Sequence, residues 1–196
     1  MTPTTPALTE KPDLARLNEP LQQRLMEMAA AEKSALQHAI ALLPAGNPRA
    51  ALRRLQLRHA RELENIVANH GWPPVPMVGQ EPSAYCLQLL LVCENLAFQT
   101  RCRDLIEAVV ADQACPAAQF AFIADRVAVA WSLSQQFGTQ INPITVRPYP
   151  IASSDDVDER RMAVGLAPLG EVLESYRARL RGETTPTSGR RASAEG

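Results

Sequence analysis

The sequence predicts a mainly α-helical single domain, a helical bundle with a short extended or hairpin segment near its C-terminal third. Three observations lead there. Before residue 135, long segments repeat apolar residues at helical spacing. After Gly138, prolines at 143, 148 and 150 forbid a helix and leave an extended alternation. The 196 residues, 46% hydrophobic and 21% charged, suffice for one substantial core and leave little room for two large domains. The expected division is a loose Pro- and Thr-rich tail over 1–17, a helical domain over 18–181, and a disordered Ser-, Thr-, Gly- and Arg-rich tail over 182–196.

From Asn18 the pattern turns helical. Pro20 suits a first turn, and Leu21, Leu25, Met28, Leu36, Ile40 and Leu43 form an apolar stripe up to a stop at Pro44-Ala45-Gly46. Asn47-Pro48 opens a second helix with Leu52, Leu55, Ile66 and Val67 inside. It carries Arg49, Arg53, Arg54, Arg58 and Arg61, of which Arg54, Arg58 and Arg61 follow at spacings of four and three. Such a row can meet phosphates, but Glu62 and Glu64 and the absence of neighbouring lysines and aromatics favour a solvated face. The helix is expected to stop near His70-Gly71. Trp72-Pro73-Pro74-Val75-Pro76 then reads as an extended linker, with Trp72 either clamping the turn onto the core or walling a pocket.

Ser83 is the expected N-cap of a central third helix through Tyr85 to Phe98, apolar on nearly every side. Glu94 and Asn95 interrupt that run and need partners, for which Gln99, Arg101 and the next helix are candidates. A fourth helix starts after Cys115-Pro116, places Phe120, Ile123, Val127 and Trp131 on one side, and is expected to end at Gly138 in a left-handed cap. Asp125 and Arg126 within it point about 100° apart and do not simply pair. Beyond Gly138, Ile141, Ile144, Val146, Tyr149 and Ile151 suit an edge strand, a hairpin or an extended wrap. Asp155-Asp156 is expected to cap a short helix ending at Gly165, and a last amphipathic helix uses Leu169, Val172, Leu173 and Tyr176 up to Leu180.

Several functions are argued down. A net charge of −1, with only Lys11 and Lys33 as lysines, gives no global reason to expect nucleic acid or an anionic membrane. The longest dense apolar run, Leu89 to Val92, is far below a membrane span, and the N-terminus lacks a secretory pattern. Cys86, Cys93, Cys102 and Cys115 form no CxxC pair and read as reduced core residues, so a cytoplasmic protein is expected. His38, His59 and His70 show no ligand spacing, so no metal is expected. No Walker loop, dinucleotide fingerprint or G-x-S-x-G elbow appears, so no cofactor is expected either.

The order of short signatures carries a resemblance. Gly71-Trp72-Pro73, Val78-Gly79, Phe98-Gln99, Asp125-Arg126, Gln135-x-Phe137-Gly138-Thr139-Gln140, Pro150-Ile151 and Val157-Asp158-x-Arg160-Arg161-x-x-Val164-Gly165-Leu166 together resemble an uncharacterised bacterial family. That family is known as a domain of unknown function with GWP, Q-x-YGTQ and R-R-x-x-x-GL motifs. Here Phe137 stands where the family pattern has tyrosine. The central segment Leu91-Val92-Cys93-Glu94-Asn95 also lacks the histidine of the family's LVQHAD-like stretch. The resemblance therefore implies that any family chemistry centred on that histidine is altered in this chain.

What remains is a polar constellation from separate segments: Glu94, Gln99, Asp125, Arg126, Gln135, Gln140, Arg160 and Arg161, with Trp72 and Phe137 as candidate pocket walls. As structure, it is a buried network in which carboxylates meet arginines and amides complete the bonding. As function, it is a cleft with Asp125 or Glu94 as base and an arginine holding an anionic substrate. The leading expectation is a binding or interaction module for a protein partner or small ligand. The alternative is a small-molecule enzyme using carboxylate acid/base chemistry at the same centre, and nucleic-acid binding through the arginine row is a distant third. Carboxylates opening into an accessible pocket favour the enzyme; burial with satisfied partners favours a scaffold.

Overall fold

The computed structural model describes residues 16–41 and 48–182. The expected tail before residue 16, Leu43, the Pro44-Ala45-Gly46 stop, the Asn47 cap and the expected tail after 182 lie outside the described residues. The side chains of Ile40 and Arg49 lie outside them too.

The chain is mainly α. Helices α1 (Glu19–Ala41), α2 (Pro48–His70), α3 (Val75–Val78), α4 (Gln80–Val92), α5 (Leu96–Ala111) and α6 (Ala117–Ala130) precede a hairpin of β1 (Ile141–Asn142) and β2 (Arg147–Pro148). A single 3-10 turn, Ser154–Asp156, then leads into α7 (Val157–Ala163) and α8 (Leu169–Leu180). Helix α4 packs against α1, α2, α3 and α6, and α5 lies against α6. Its position follows from its sequence, since Tyr85, Cys86, Leu89 and Leu90 are all buried. They meet Leu25 and Met28 of α1, Leu63 and Val67 of α2, and Ile123 and Val127 of α6 in one core. Each such large side chain contributes about 1.5–3 kcal/mol by leaving water.

Three stretches depart from the sequence reading. The Trp72–Pro76 linker is only partly extended, because Val75–Val78 forms a helical turn with proline in its first turn, where no amide is needed. The helix that follows begins at Gln80, so Ser83 is not its cap; Ser83 is buried inside it and its Oγ accepts from Gln119 Nε2 at 3.1 Å. The run from Tyr85 to Phe98 is two helices, broken where Cys93 turns extended (φ −62, ψ 142). Asn95 is the N-cap of α5, its side chain accepting from the Phe98 amide at 3.1 Å.

The end of α6 also differs. The helix stops at Ala130, not at Gly138, and Ser132 takes the left-handed position at φ 58. The Leu133 amide donates to Ala128 and the Ser132 amide to Val129, which is the paired closure of a Schellman motif. Trp131, expected on the apolar side, is therefore carried off the helix and stands 61% exposed. Leu36, expected in the stripe of the first helix, is exposed as well.

The hairpin is antiparallel, with Ile141 opposite Pro148 and Asn142 opposite Arg147. The Asn142 side chain closes its turn by accepting from the amides of Ile144 and Thr145, leaving Ile144 exposed at the tip. All four cysteines are buried free thiols. Burial pushes the Cys102 thiol up to about 12 and raises Cys86, Cys93 and Cys115 above the ordinary value. Among the described residues, no helix is long and apolar enough to cross a membrane.

Candidate functional site: a buried polar centre at residues 125–161

Asp125 sits on the inner face of α6 with no exposed surface. A carboxylate there needs donors, and the loop after α6 supplies them from its backbone. Asp125 Oδ1 accepts from the amides of Gln136 (2.7 Å) and Phe137 (3.1 Å), and Oδ2 from Phe137 (3.2 Å) and Thr139 (2.8 Å). The loop curls around one buried charge, which replaces the hydrogen bonds a helix would have given those amides.

Gln135 is the second hub and is likewise wholly buried. Its Nε2 donates to the carbonyls of Gln140 (3.0 Å) and Tyr149 (2.9 Å), and its Oε1 accepts from the Gln140 amide at 2.9 Å. Its own backbone pairs with the chain beyond the hairpin: the Gln135 amide donates to Pro150 and the Ala152 amide donates to the Gln135 carbonyl. One glutamine thus ties both ends of the hairpin segment to the loop. The Gln140 side chain turns aside and donates to Thr139 Oγ1 at 3.1 Å.

Helix α7 closes the centre from the other side. Arg161, 3% exposed, donates from Nη1 to the Phe137 carbonyl and from Nε to the Ala167 carbonyl, both at 2.6 Å. Burial pushes its pKa below the ordinary arginine value, against the opposing pull of Asp158 and Asp125. Arg160 binds the carbonyls of Gln136, Ala152 and Ser153 and the carboxylate of Asp156. Asp156 occupies the N-cap position of α7 without capping it by its side chain, because that carboxylate is spent on Arg160. Asp158 instead accepts from the Leu169 amide and starts α8.

The centre therefore gathers Asp125, Gln135, Gln140, Arg160, Arg161 and the backbone of Phe137. Its arginines bond carbonyls and its buried carboxylate bonds amides. Arg126 points elsewhere, with its Nε buried and without a hydrogen-bond partner. Glu94 lies on the exposed turn between α4 and α5 and pairs with Arg53 at 2.8 Å. Gln99 is buried, but its Nε2 donates to the carbonyls of Leu90 and Cys93, closing the end of α4. Trp72 is 1% exposed and its Nε1 donates to Gln119, so it clamps the core. Phe137 is half-buried and contributes its backbone.

One cluster was not foreseen from the sequence. Glu32 of α1, His59 of α2 and Tyr85 of α4 converge, with Tyr85 donating to Glu32 at 2.6 Å and His59 Nδ1 2.9 Å from each. Burial and the neighbouring carboxylate raise the Tyr85 pKa well above the ordinary phenol value. The three side chains cross-link α1, α2 and α4 and are almost closed to solvent. Nothing in their sequence spacing marks them, since they come from three helices. Among the described residues, no three His, Cys, Asp or Glu side chains are arranged to hold a metal ion.

Residues 19–180 match the model of a family of unknown function, DUF6624. No curated protein and no solved structure matches the chain.

Proposed function

The chain belongs to that family of unknown function, and from its geometry we propose that it is a protein-interaction module whose polar centre is a structural clasp. The observation that carries this reading is the enclosure of Asp125, whose two oxygens are already taken by three backbone amides. A general base must bring a free lone pair within about 3 Å of a substrate proton. Asp125 has no exposed surface, so no substrate proton can come within that distance without opening the loop. Glu94, the other carboxylate considered as a base, is exposed and held by Arg53. An arginine that holds a substrate anion needs free donors, whereas the bonded donors of Arg161 serve the chain's own carbonyls.

The residues the clasp leaves facing outward include two large apolar ones, beside the exposed Ser132, Ser134 and Gln136. Trp131 and Leu133, 61% and 62% exposed, line a groove of 340 Å³ with Phe120 and Val127 and with the charged Arg103 and Glu107. Exposed large apolar side chains beside a fixed loop suit contact with aliphatic or aromatic side chains of a protein partner.

A thermal-shift screen of the wild type and Asp125→Asn against metabolites and metal ions tests the reading. The expected result is a baseline melting temperature lowered by about 4–8 °C in the variant, as a loss near 2 kcal/mol would give, and no ligand-dependent shift in either protein. A ligand shift in the wild type that disappears in Asp125→Asn, with the baseline unmoved, overturns it.

A further inference from the structure

We propose that the outer face of α2 is a second docking surface, which takes an acidic, extended peptide segment through Arg54, Arg58 and Arg61. At 100° per residue, these arginines fall with Leu57 and Ala51 inside an arc of about 120°. That arc is directly opposite the buried residues of the same helix, Ala60, Leu63 and Val67. The five side chains line one depression. All three arginines are exposed, and among the described residues none of them makes an ion pair or hydrogen bond. Other arginines of the same fold do find partners: Arg24 binds Glu62, Arg53 binds Glu94, and Arg160 binds Asp156.

Three unpaired guanidinium groups, on residues that rise about 6 and about 4.5 Å in turn along the helix, can meet two carboxylates on alternate residues of an extended peptide, which recur every 6.6–6.8 Å or so. Each guanidinium can bind a carboxylate through two parallel N–H donors. Leu57, half-buried beside them, offers contact to the methylene stems of the same acidic side chains. A nucleic acid fits less well. Glu62 and Glu64 border the arc on its two sides, about 80° from its centre, so the cationic strip is confined to that arc. No aromatic side chain lines the depression to stack on a base.

The test is fluorescence anisotropy of the full chain with three labelled probes: a peptide alternating Glu and Leu, its Gln-for-Glu counterpart, and a short oligo-dT. The Glu-Leu peptide is expected to bind, more weakly as salt rises, and the Gln counterpart to bind little. In Arg54→Ala/Arg58→Ala/Arg61→Ala, affinity for the acidic peptide is expected to fall on the order of tenfold or more. The melting temperature should stay unchanged, because no partner is lost. The corresponding triple Lys variant keeps the charge, loses the forked geometry and should bind with intermediate affinity; it carries the test should the alanine variant fold poorly. Absence of binding to the Glu-Leu peptide overturns the proposal, as does equal binding by the alanine variant. Tighter binding of oligo-dT that is lost with the arginines assigns the row to nucleic acid and also overturns it. None of these outcomes touches the Trp131 groove, so this proposal and the clasp reading fail separately.

Discussion

Asp125 and Arg161 hold the same residue from opposite ends: the carboxylate accepts from the Phe137 amide and the guanidinium donates to the Phe137 carbonyl. The two charges act on the two peptide units that meet at the Phe137 Cα. Each neutralises a backbone dipole that burial would otherwise leave unpaired.

This relationship predicts a graded loss of stability. Asp125→Ala strands the amides of Gln136, Phe137 and Thr139 and should cost about 3–5 kcal/mol, whereas Asp125→Asn keeps an acceptor and should cost about 1–3 kcal/mol. Arg161→Met should cost a similar 1–3 kcal/mol or so by releasing two carbonyls. The double variant should lose less than the sum, because once one end of Phe137 is free the other holds little. Urea unfolding of the wild type, Asp125→Ala, Arg161→Met and their double variant measures the coupling, and strict additivity would show that the two residues act independently.

Gly138 supplies a second prediction. It sits at φ 66, and a Cβ there would lie 3.0 Å from Ile151 Cδ1 and 3.2 Å from Leu169 Cδ2. Gly138→Ala therefore combines left-handed strain of about 1–2 kcal/mol with crowding against two side chains. The same change at Gly165, also left-handed but with open space around it, should cost only the strain. Equal destabilisation at the two positions would refute the packing part of this account.

Much of the fold was legible because apolar periodicity reports burial directly. Leu21, Leu25 and Met28 of α1, Ile66 and Val67 of α2, Leu89 and Leu90 of α4, and Ile123 and Val127 of α6 are buried as the spacing selects, whereas Leu36 and Trp131 are exposed and the core residue Leu63 was not singled out. The prolines excluded a helix after Gly138 without choosing between a hairpin and an extended wrap. Helix ends were less legible. Ser132 performs the left-handed turn that composition assigns to Gly138, since a non-glycine can adopt it when the closing hydrogen bonds and packing repay the strain. Asn95 was hidden inside an apolar run that continues on both sides of it. At the polar centre, residue types were visible but their partners were not. Asp125, Gln135 and Arg161 bond mainly to backbone groups, which every residue carries and no sequence pattern marks. Glu94 and Gln99 shared the polarity of the centre without sharing its place, because the break at Cys93 turns one outward and spends the other on the end of α4.

The buried thiols set an alkaline limit. An unfolded cysteine ionises near 9.0, whereas folded Cys102 is held neutral up to about 12. Its folded pKa lies above the unfolded one, so the stabilisation is complete below 9 and is lost as pH rises towards 12. Across that window the loss is about 1.4 kcal/mol per pH unit for one thiol. Denaturant unfolding between pH 8 and 10.5 should show this decline, and Cys102→Ala should make it shallower by one thiol's share, the other three buried thiols keeping the rest, while lowering stability at neutral pH through lost packing.

The last prediction concerns the two tryptophans, which stand at opposite ends of α6. Trp72 is 1% exposed and bonded to Gln119, while Trp131 stands beyond the end of α6. Acrylamide should quench Trp131 strongly and Trp72 hardly at all, as Trp72→Phe and Trp131→Phe variants would separate. If the groove beside Trp131 is a contact surface, Trp131→Ser/Leu133→Ser should change stability by no more than about 0.5 kcal/mol, because neither side chain is buried in the free chain. The same variant should bind less of an apolar dye such as anilinonaphthalene sulfonate. A large loss of stability would instead mean that these side chains support the fold, and the clasp would then have no separate apolar surface to present.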